Sequence, residues 1–298
     1  MTDASLSPSA SPAEIRAHPR FEAAYDAFVD EMADLYADQP RMRGLGDYRQ
    51  GVCVQLLVCF DASRDPDNPA TLFTTEAVAG AMGMMGVTSR RAVTELIGRL
   101  RDDGFATIEP AAHDRRVVEL RATDKARDAD LEWLRLMHRP LEVLEPEEVR
   151  FQLGANRDPA YQQAFRATAL PLLSRAAASM AGNPEADYFA RQTQGGRIMM
   201  SLIQAVRGRA DRRTDPGFYS WAARKCGVSA PHVTKVLKGA ADEGWVRLSG
   251  ERAVAIEVMP VLEEGLRRWT ASCLSTVNVN SHHAWMLMTG SATDLGKG

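Results

Sequence analysis

The sequence predicts a mainly α-helical fold with two small β-hairpins, arranged as two similar halves of one chain. Three observations carry that expectation. Ala, Leu, Arg and Glu, all good helix formers, are abundant. Two short stretches, each opened by a glycine at the end of an amphipathic helix, read as paired strands. The chain also repeats itself at a displacement of about 140 residues.

The repeat is read from separated matches. His18-Pro19-Arg20-Phe21-Glu22-Ala23-Ala24-Tyr25 and Asp158-Pro159-Ala160-Tyr161-Gln162-Gln163-Ala164-Phe165 each place a proline just inside a helix start and aromatics four residues apart on one face. Val93-Thr94 matches Val233-Thr234, Asp103-Gly104-Phe105 matches Glu243-Gly244-Trp245, and Gly86-Val87-Thr88 matches Gly227-Val228-Ser229 one residue further on. Helices are expected near 13–38, 45–62, 74–82 and 88–103, a hairpin at 105–121 and a helix at 124–138. In the second half they are expected near 158–182, 195–210, 216–225 and 230–243, then a shorter hairpin at 245–258 and a helix at 260–275. The division is therefore a disordered arm at 1–12, a first module at 13–140, a linker at 141–157, a second module at 158–280 and a tail at 281–298. In the tail the apolar Trp285-Met286-Leu287-Met288 is a candidate for docking back onto the body.

Several classes are excluded or disfavoured. No apolar run reaches the ~20 residues that span a bilayer, and residues 1–12 lack the charged start and apolar centre of a signal peptide. A cytoplasmic protein is expected. The four cysteines, Cys53, Cys59, Cys226 and Cys273, form no CxxC pair and no zinc spacing; they read as reduced, buried thiols, with redox activity of Cys53 or Cys59 left open. There is no phosphate-binding glycine loop, nucleophile elbow or paired-histidine motif, so no enzyme, metal or cofactor is expected. His282-His283 sits in the expected tail and needs no role. The net charge of −3 decides nothing, because phosphate attraction depends on where charge sits.

In the first module, Thr74 or Thr75 can cap a short helix, and Gly83 and Gly86 permit the turn that ends it. Thr88 or Ser89 caps the next helix. Its apolar face is Val93, Leu96, Ile97 and Leu100, and its polar face carries Arg90, Arg91, Thr94 and Arg99. Asp103-Gly104 ends it. Strands at Phe105–Glu109 and Val117–Arg121 then flank the basic loop Pro110-Ala111-Ala112-His113-Asp114-Arg115-Arg116. A helix followed at once by a hairpin with a basic tip is the winged helix-turn-helix layout, in which the helix lies in the major groove and the tip reaches the minor groove.

In the second module, Asp215-Pro216 is read as opening a helix with Trp221 and Ala222 in its core. Cys226-Gly227-Val228-Ser229 is the turn, and Ser229 caps the next helix. Val233, Val236, Leu237 and Ala240 form its apolar face; His232, Thr234, Lys235 and Lys238 point outward. The hairpin tip is only Ser249-Gly250-Glu251-Arg252, which leaves Arg252 as its basic residue.

The run Asp114-Arg115-Arg116-Val117-Val118-Glu119-Leu120-Arg121-Ala122-Thr123-Asp124-Lys125-Ala126 resembles the wing of the MarR family of bacterial regulators: Asp-x-Arg, a strand, then Leu-x-x-Thr-x-x-Gly, with Ala126 in place of the usual glycine. The resemblance covers residues 45–138. It implies a mainly α fold with small hairpin wings, two such modules joined by a helical dimerisation-like region. It implies that Arg116 enters the minor groove, positioned by Asp114, and that Thr88, Ser89, Arg90 and Arg91 meet the major groove. MarR-like regulators are ordinarily homodimers, so a chain with two modules is expected to imitate the dimer on its own, as a transcription regulator of a near-palindromic operator in double-stranded DNA. The phosphate-facing charges would be Arg90, Arg91, Arg99, Arg115, Arg116, Lys235, Lys238 and Arg252. The resemblance also implies a small-molecule effector between helical region and lobes, with Met82-Gly83-Met84-Met85 and Met199-Met200 as candidate lining. The rival reading is an interaction scaffold or antirepressor that reuses the same modules without DNA.

Overall fold

The computed structural model describes residues 6–291, apart from 38, 40, 41, 43, 44, 46, 66, 67, 69, 70, 85, 87–89, 111–116 and 251–254, and apart from the side chain of Arg90. Helix α1 (Pro12–Ala17) starts at a capping box, with the Ser11 hydroxyl accepting from the Glu14 amide and the Glu14 carboxylate accepting from the Ser11 amide. Then follow α2 (Phe21–Asp34), α3 (Tyr48–Ala62), α4 (Thr75–Met84), α5 (Arg90–Asp102), strands β1 (Ala106–Pro110) and β2 (Val118–Ala122), and α6 (Asp124–Leu144). A short α7 (Val149–Ala155) leads to α8 (Pro159–Ala167), α9 (Leu173–Ala181), α10 (Pro184–Ala190), α11 (Gly195–Val206), α12 (Phe218–Cys226), α13 (Ala230–Asp242), β3 (Val246–Ser249), β4 (Ala255–Val258) and the long α14 (Pro260–Thr289).

The described residues are thus mainly helical, with two separate two-stranded antiparallel sheets. The repeat recurs as geometry. Helices α5 and α13 each end at a glycine with φ of 77°, Gly104 and Gly244. The next residue donates back into the helix in both cases, Phe105 to the Leu100 carbonyl at 2.8 Å and Trp245 to the Ala240 carbonyl at 3.0 Å, the bond of a Schellman cap. The strands that follow pair in the same register, Ala106 with Ala122 and Val246 with Val258. Each hairpin also bonds the segment just before the shorter helix: Leu120 donates to the Phe73 carbonyl at 2.8 Å, and Thr214 donates to the Ile256 carbonyl at 3.0 Å.

The halves interlock. Helix α2 packs on α6 of its own half and on α11 of the other; α8 packs on α14 of its own half and on α3 of the other. Polar contacts pin both crossings. Arg207 pairs with Asp26 and Asp30, Lys225 pairs with Asp34, and Gln204 donates to Asp30 on one side. On the other, Gln163 donates to the Ala62 carbonyl and the buried Arg166 pairs with Asp130. The apolar core divides accordingly. Residues of α3 to α5, the first hairpin and the start of α6 form one cluster. Helices α1, α2 and the end of α6 share the larger cluster with the second half.

Several sequence expectations change. The arm is not disordered over its described part: Leu6 and Ala10 are buried, Ser275 donates to the Ala10 carbonyl at 2.6 Å, and Asn278 donates to the Ser7 and Pro8 carbonyls. The linker is not a linker, since α6 runs through the buried Pro140 to Leu144 and α7 follows, with Gly154 so close to His138 that no Cβ would fit. The tail is helical to Thr289; just before it Asn278 and Asn280 bond the carbonyls of Ser7 and Phe165, and the Ser281 hydroxyl donates to the Val277 carbonyl one turn back. The expected single helices at 13–38 and 158–182 are each broken, the first at Pro19 and the second at a 3₁₀ turn, Leu170–Leu172, that contains Pro171. Asp215 pairs with Arg209 rather than capping α12, which starts after the left-handed Gly217. Trp221 lies outside the core, 38% exposed, whereas Ala222 is buried.

At the centre, His138 is fully buried. Its Nδ1 donates to the Leu134 carbonyl at 2.8 Å, leaving Nε2 to accept from the Tyr161 hydroxyl at 3.0 Å. Burial pushes its pKa from 6.5 down to about 3. The unfolded chain therefore binds a proton in the window between those values that the folded chain refuses, so this contribution is complete above pH 6.5 and is lost as pH falls towards 3. Urea unfolding should give a stability lower at pH 5 than at pH 7.5 by on the order of 2 kcal/mol, and His138→Asn should flatten that slope.

Candidate nucleic-acid interface

Helix α5 has two faces for a simple reason of spacing. Val93, Leu96, Ile97 and Leu100 are buried beneath it. Arg91, Thr94, Glu95 and Arg99 are exposed on the other side. Arg91 Nε lies 3.0 Å from Glu95 Oε1, one turn on, and the Arg91 side chain is 90% exposed. Beyond the helix, Lys125 on α6 donates to the Asp103 carbonyl at 2.6 Å and lies over the Phe105 ring. It adds a cation beside the cap, which sequence spacing did not single out. Thr88 and Ser89, the side chain of Arg90, and His113, Asp114, Arg115 and Arg116 lie outside the described residues.

Helix α13 follows the same plan at the same length. Ser229 caps it by accepting from the His232 amide at 3.2 Å, and Val233, Val236, Leu237 and Ala240 are buried. Lys235 and Lys238 are exposed, as the spacing requires. Two expected outward residues are engaged elsewhere. His232 Nε2 lies 2.9 Å from the Thr193 carbonyl, and the Thr234 hydroxyl donates to the Ala230 carbonyl one turn back at 3.0 Å. Arg252 lies outside the described residues.

Residue spacing alone does not reveal that α10 reaches α13. The Tyr188 hydroxyl donates to the Val236 carbonyl at 2.8 Å, and its ring meets Trp245 edge-on with centroids 5.2 Å apart. Tyr188 and Gln192 form one wall of a cleft whose other wall carries Thr234, Lys235 and Lys238.

A second feature lies where the halves meet. A cavity of about 250 Å³ is lined by Trp133, Trp269, Tyr48, Phe165, Met137 and Met199, with Arg166 and Arg197 at its polar parts. Arg166 is tied to Asp130 by two bonds, 2.9 and 2.5 Å, and its guanidinium lies 4.6 Å from the Trp133 ring. The Tyr48 hydroxyl has no hydrogen-bond partner among the described residues. Of the methionines expected to line such a site, Met199 does. Met82 and Met200 are fully buried, Met84 is exposed, and Met85 lies outside the described residues.

No group of three or more metal-ligating side chains comes together among the described residues, and no described helix is long and apolar enough to cross a membrane. No family model, curated protein or solved structure matches the chain.

The thiols are set by burial. Desolvation pushes Cys53 up to about 12 and Cys59 up to about 11, with Arg166 beside Cys59 opposing the shift in part. Cys273 opens on the internal cavity and is pushed up to about 12 for the same reason. All three are protonated at neutral pH, and the thiolate is the reactive form. A thiol-reactive dye at pH 7.5 should modify these three cysteines at least ~10-fold more slowly in the folded protein than in urea.

Proposed function

We propose that this chain is a sequence-specific double-stranded DNA-binding transcription regulator, with a winged helix-turn-helix unit in each half. The observation that carries the reading is the repeated unit itself. In both halves a short helix, a glycine turn and a longer helix with one polar, exposed face lead through a left-handed glycine into a hairpin. The turn glycines, Gly86 and Gly227, have φ of 75° and 70°. An α-helix presented in this way suits the major groove, and the hairpin tip suits the adjacent minor groove or backbone.

The interlock of α2 and α8 supports the second part of the proposal, that one chain does the work of a dimer. Each half lends its first helix to the other, as two subunits of a MarR-like dimer would. Half-sites about one DNA turn apart, ~34–36 Å, are the natural target. Action in the cytoplasm at the nucleoid belongs to this reading. So does a small-molecule effector in the cavity between the halves, where the Tyr48 hydroxyl offers a polar handle in a mostly apolar wall.

Gel-shift titration with a pool of random duplexes tests the proposal. The chain should retain duplex at low salt and lose it steeply between ~50 and 200 mM, since each neutralised phosphate releases counterions. Substituting Arg90, Arg91 and Arg116 together with Ala should weaken binding to a selected duplex by two orders of magnitude or more. A salt-independent response, or unchanged binding by the triple variant, would reject DNA binding through these residues.

A further inference from the structure

The two halves are unequal where they would meet DNA, and the inequality is built into one helix flank. Helices α5 and α13 are the same length and align residue for residue, Arg90–Asp102 with Ala230–Asp242. In that alignment Arg99 of the first half corresponds to Gly239 of the second. Arg99 is exposed. A Cβ on Gly239 would fall against the tip of the Tyr188 side chain, and the bonds of Tyr188 to Val236 and of His232 to Thr193 bring residues 188–193 against that side of α13. The chain between α8 and α11 carries α9 and α10, whereas residues 35–47 suffice to join α2 to α3 in the first half.

This wall changes how α13 meets a duplex. A helix with its side chains is about 10–12 Å across, close to the ~12 Å width of the major groove. A bare helix enters; one flanked by the Tyr188 ring and the chain at Thr193 is too broad. The side chains follow the same division. The open face of α5 offers Arg91, Thr94, Glu95 and Arg99, and Arg and Glu are types that bond base edges. The α13 cleft offers Lys235 and Lys238, compact point charges that hold phosphate, beside Gln192, Tyr188 and the carboxylate of Asp242.

We infer that the halves take different shares of the duplex: α5 reads bases in the major groove, while α13 and α10 together grip the sugar–phosphate backbone through Lys235, Lys238, Gln192 and Tyr188. The inference rests on the DNA-binding reading above and deepens it.

Binding-site selection from random duplexes with the full chain, followed by affinity measurements on the selected and a scrambled duplex over a salt series, tests it. Sequence preference should be confined to one half of the selected site. Combined Lys235→Ala and Lys238→Ala should weaken both duplexes by the same factor and reduce the salt slope by about 0.9 per lost phosphate contact. Arg91→Ala should instead change the preferred bases. Two equally defined inverted half-sites, a shift in base preference with the lysine variant, or an unchanged salt slope would overturn the inference. Failure of the unaltered chain to retain any duplex would overturn the DNA-binding reading itself, a separate result from a symmetric site.

Discussion

Arg166 and Asp130 face each other, both cut off from water, at the junction where the second half's first helix crosses the first half. Two buried charges are tolerated only when their bonding is complete, and removing one partner of such a pair costs about 3–5 kcal/mol. Here the bonding is complete on both sides. The guanidinium donates twice to Asp130, Gln162 donates to the same carboxylate, and Trp133 offers its ring face. A slide of α8 by one turn would leave two charges stranded, so the pair fixes which turn of α8 meets α6. The crossing of the halves, the position of the cavity and the spacing of the two exposed helices all depend on that register.

The opposite crossing is built differently. Around α2 the second half offers surface pairs, Arg207 with Asp26 and Asp30 and Lys225 of α12 with Asp34, which contribute little individually, and one buried charge, Arg197 of α11, which donates to the Ala33 carbonyl. Apolar burial holds that side, with Phe28 packed edge-on against Trp269 of α14. One junction therefore buries an ion pair, and the other buries a guanidinium that bonds main-chain carbonyls. A symmetric dimer has to use one solution twice. A single chain is free to use two, and the same freedom shows in α10, which has no counterpart among the described residues of the first half.

Much of the fold was legible in the residues. The caps at Thr74 and Ser229, the glycines at 104 and 244, and the apolar spacing of α5 and α13 are local features, set within a turn or two of chain. Sequence reasoning failed where a long-range partner overrode local preference. Asn278 and Asn280 argue against a helix alone, yet they sit inside α14 because the N-terminal segment and Phe165 accept their bonds. Trp221, large and apolar, was expected inside; it lies partly open with Lys225 over its ring.

By itself the sequence determined a mainly helical chain, helices α3, α4, α5, α11, α12 and α13 and the two hairpins, since each follows from periodicity, capping and glycine chemistry within short windows. It also determined which sides of α5 and α13 are apolar. Only the tertiary structure decided that α2 and α8 each pack on both halves, that a cavity forms between them, and that Tyr188 of α10 lies against α13. Those outcomes depend on contacts between residues tens to hundreds of positions apart. Side-chain spacing along one helix says which face is buried; it does not say which helix will bury it.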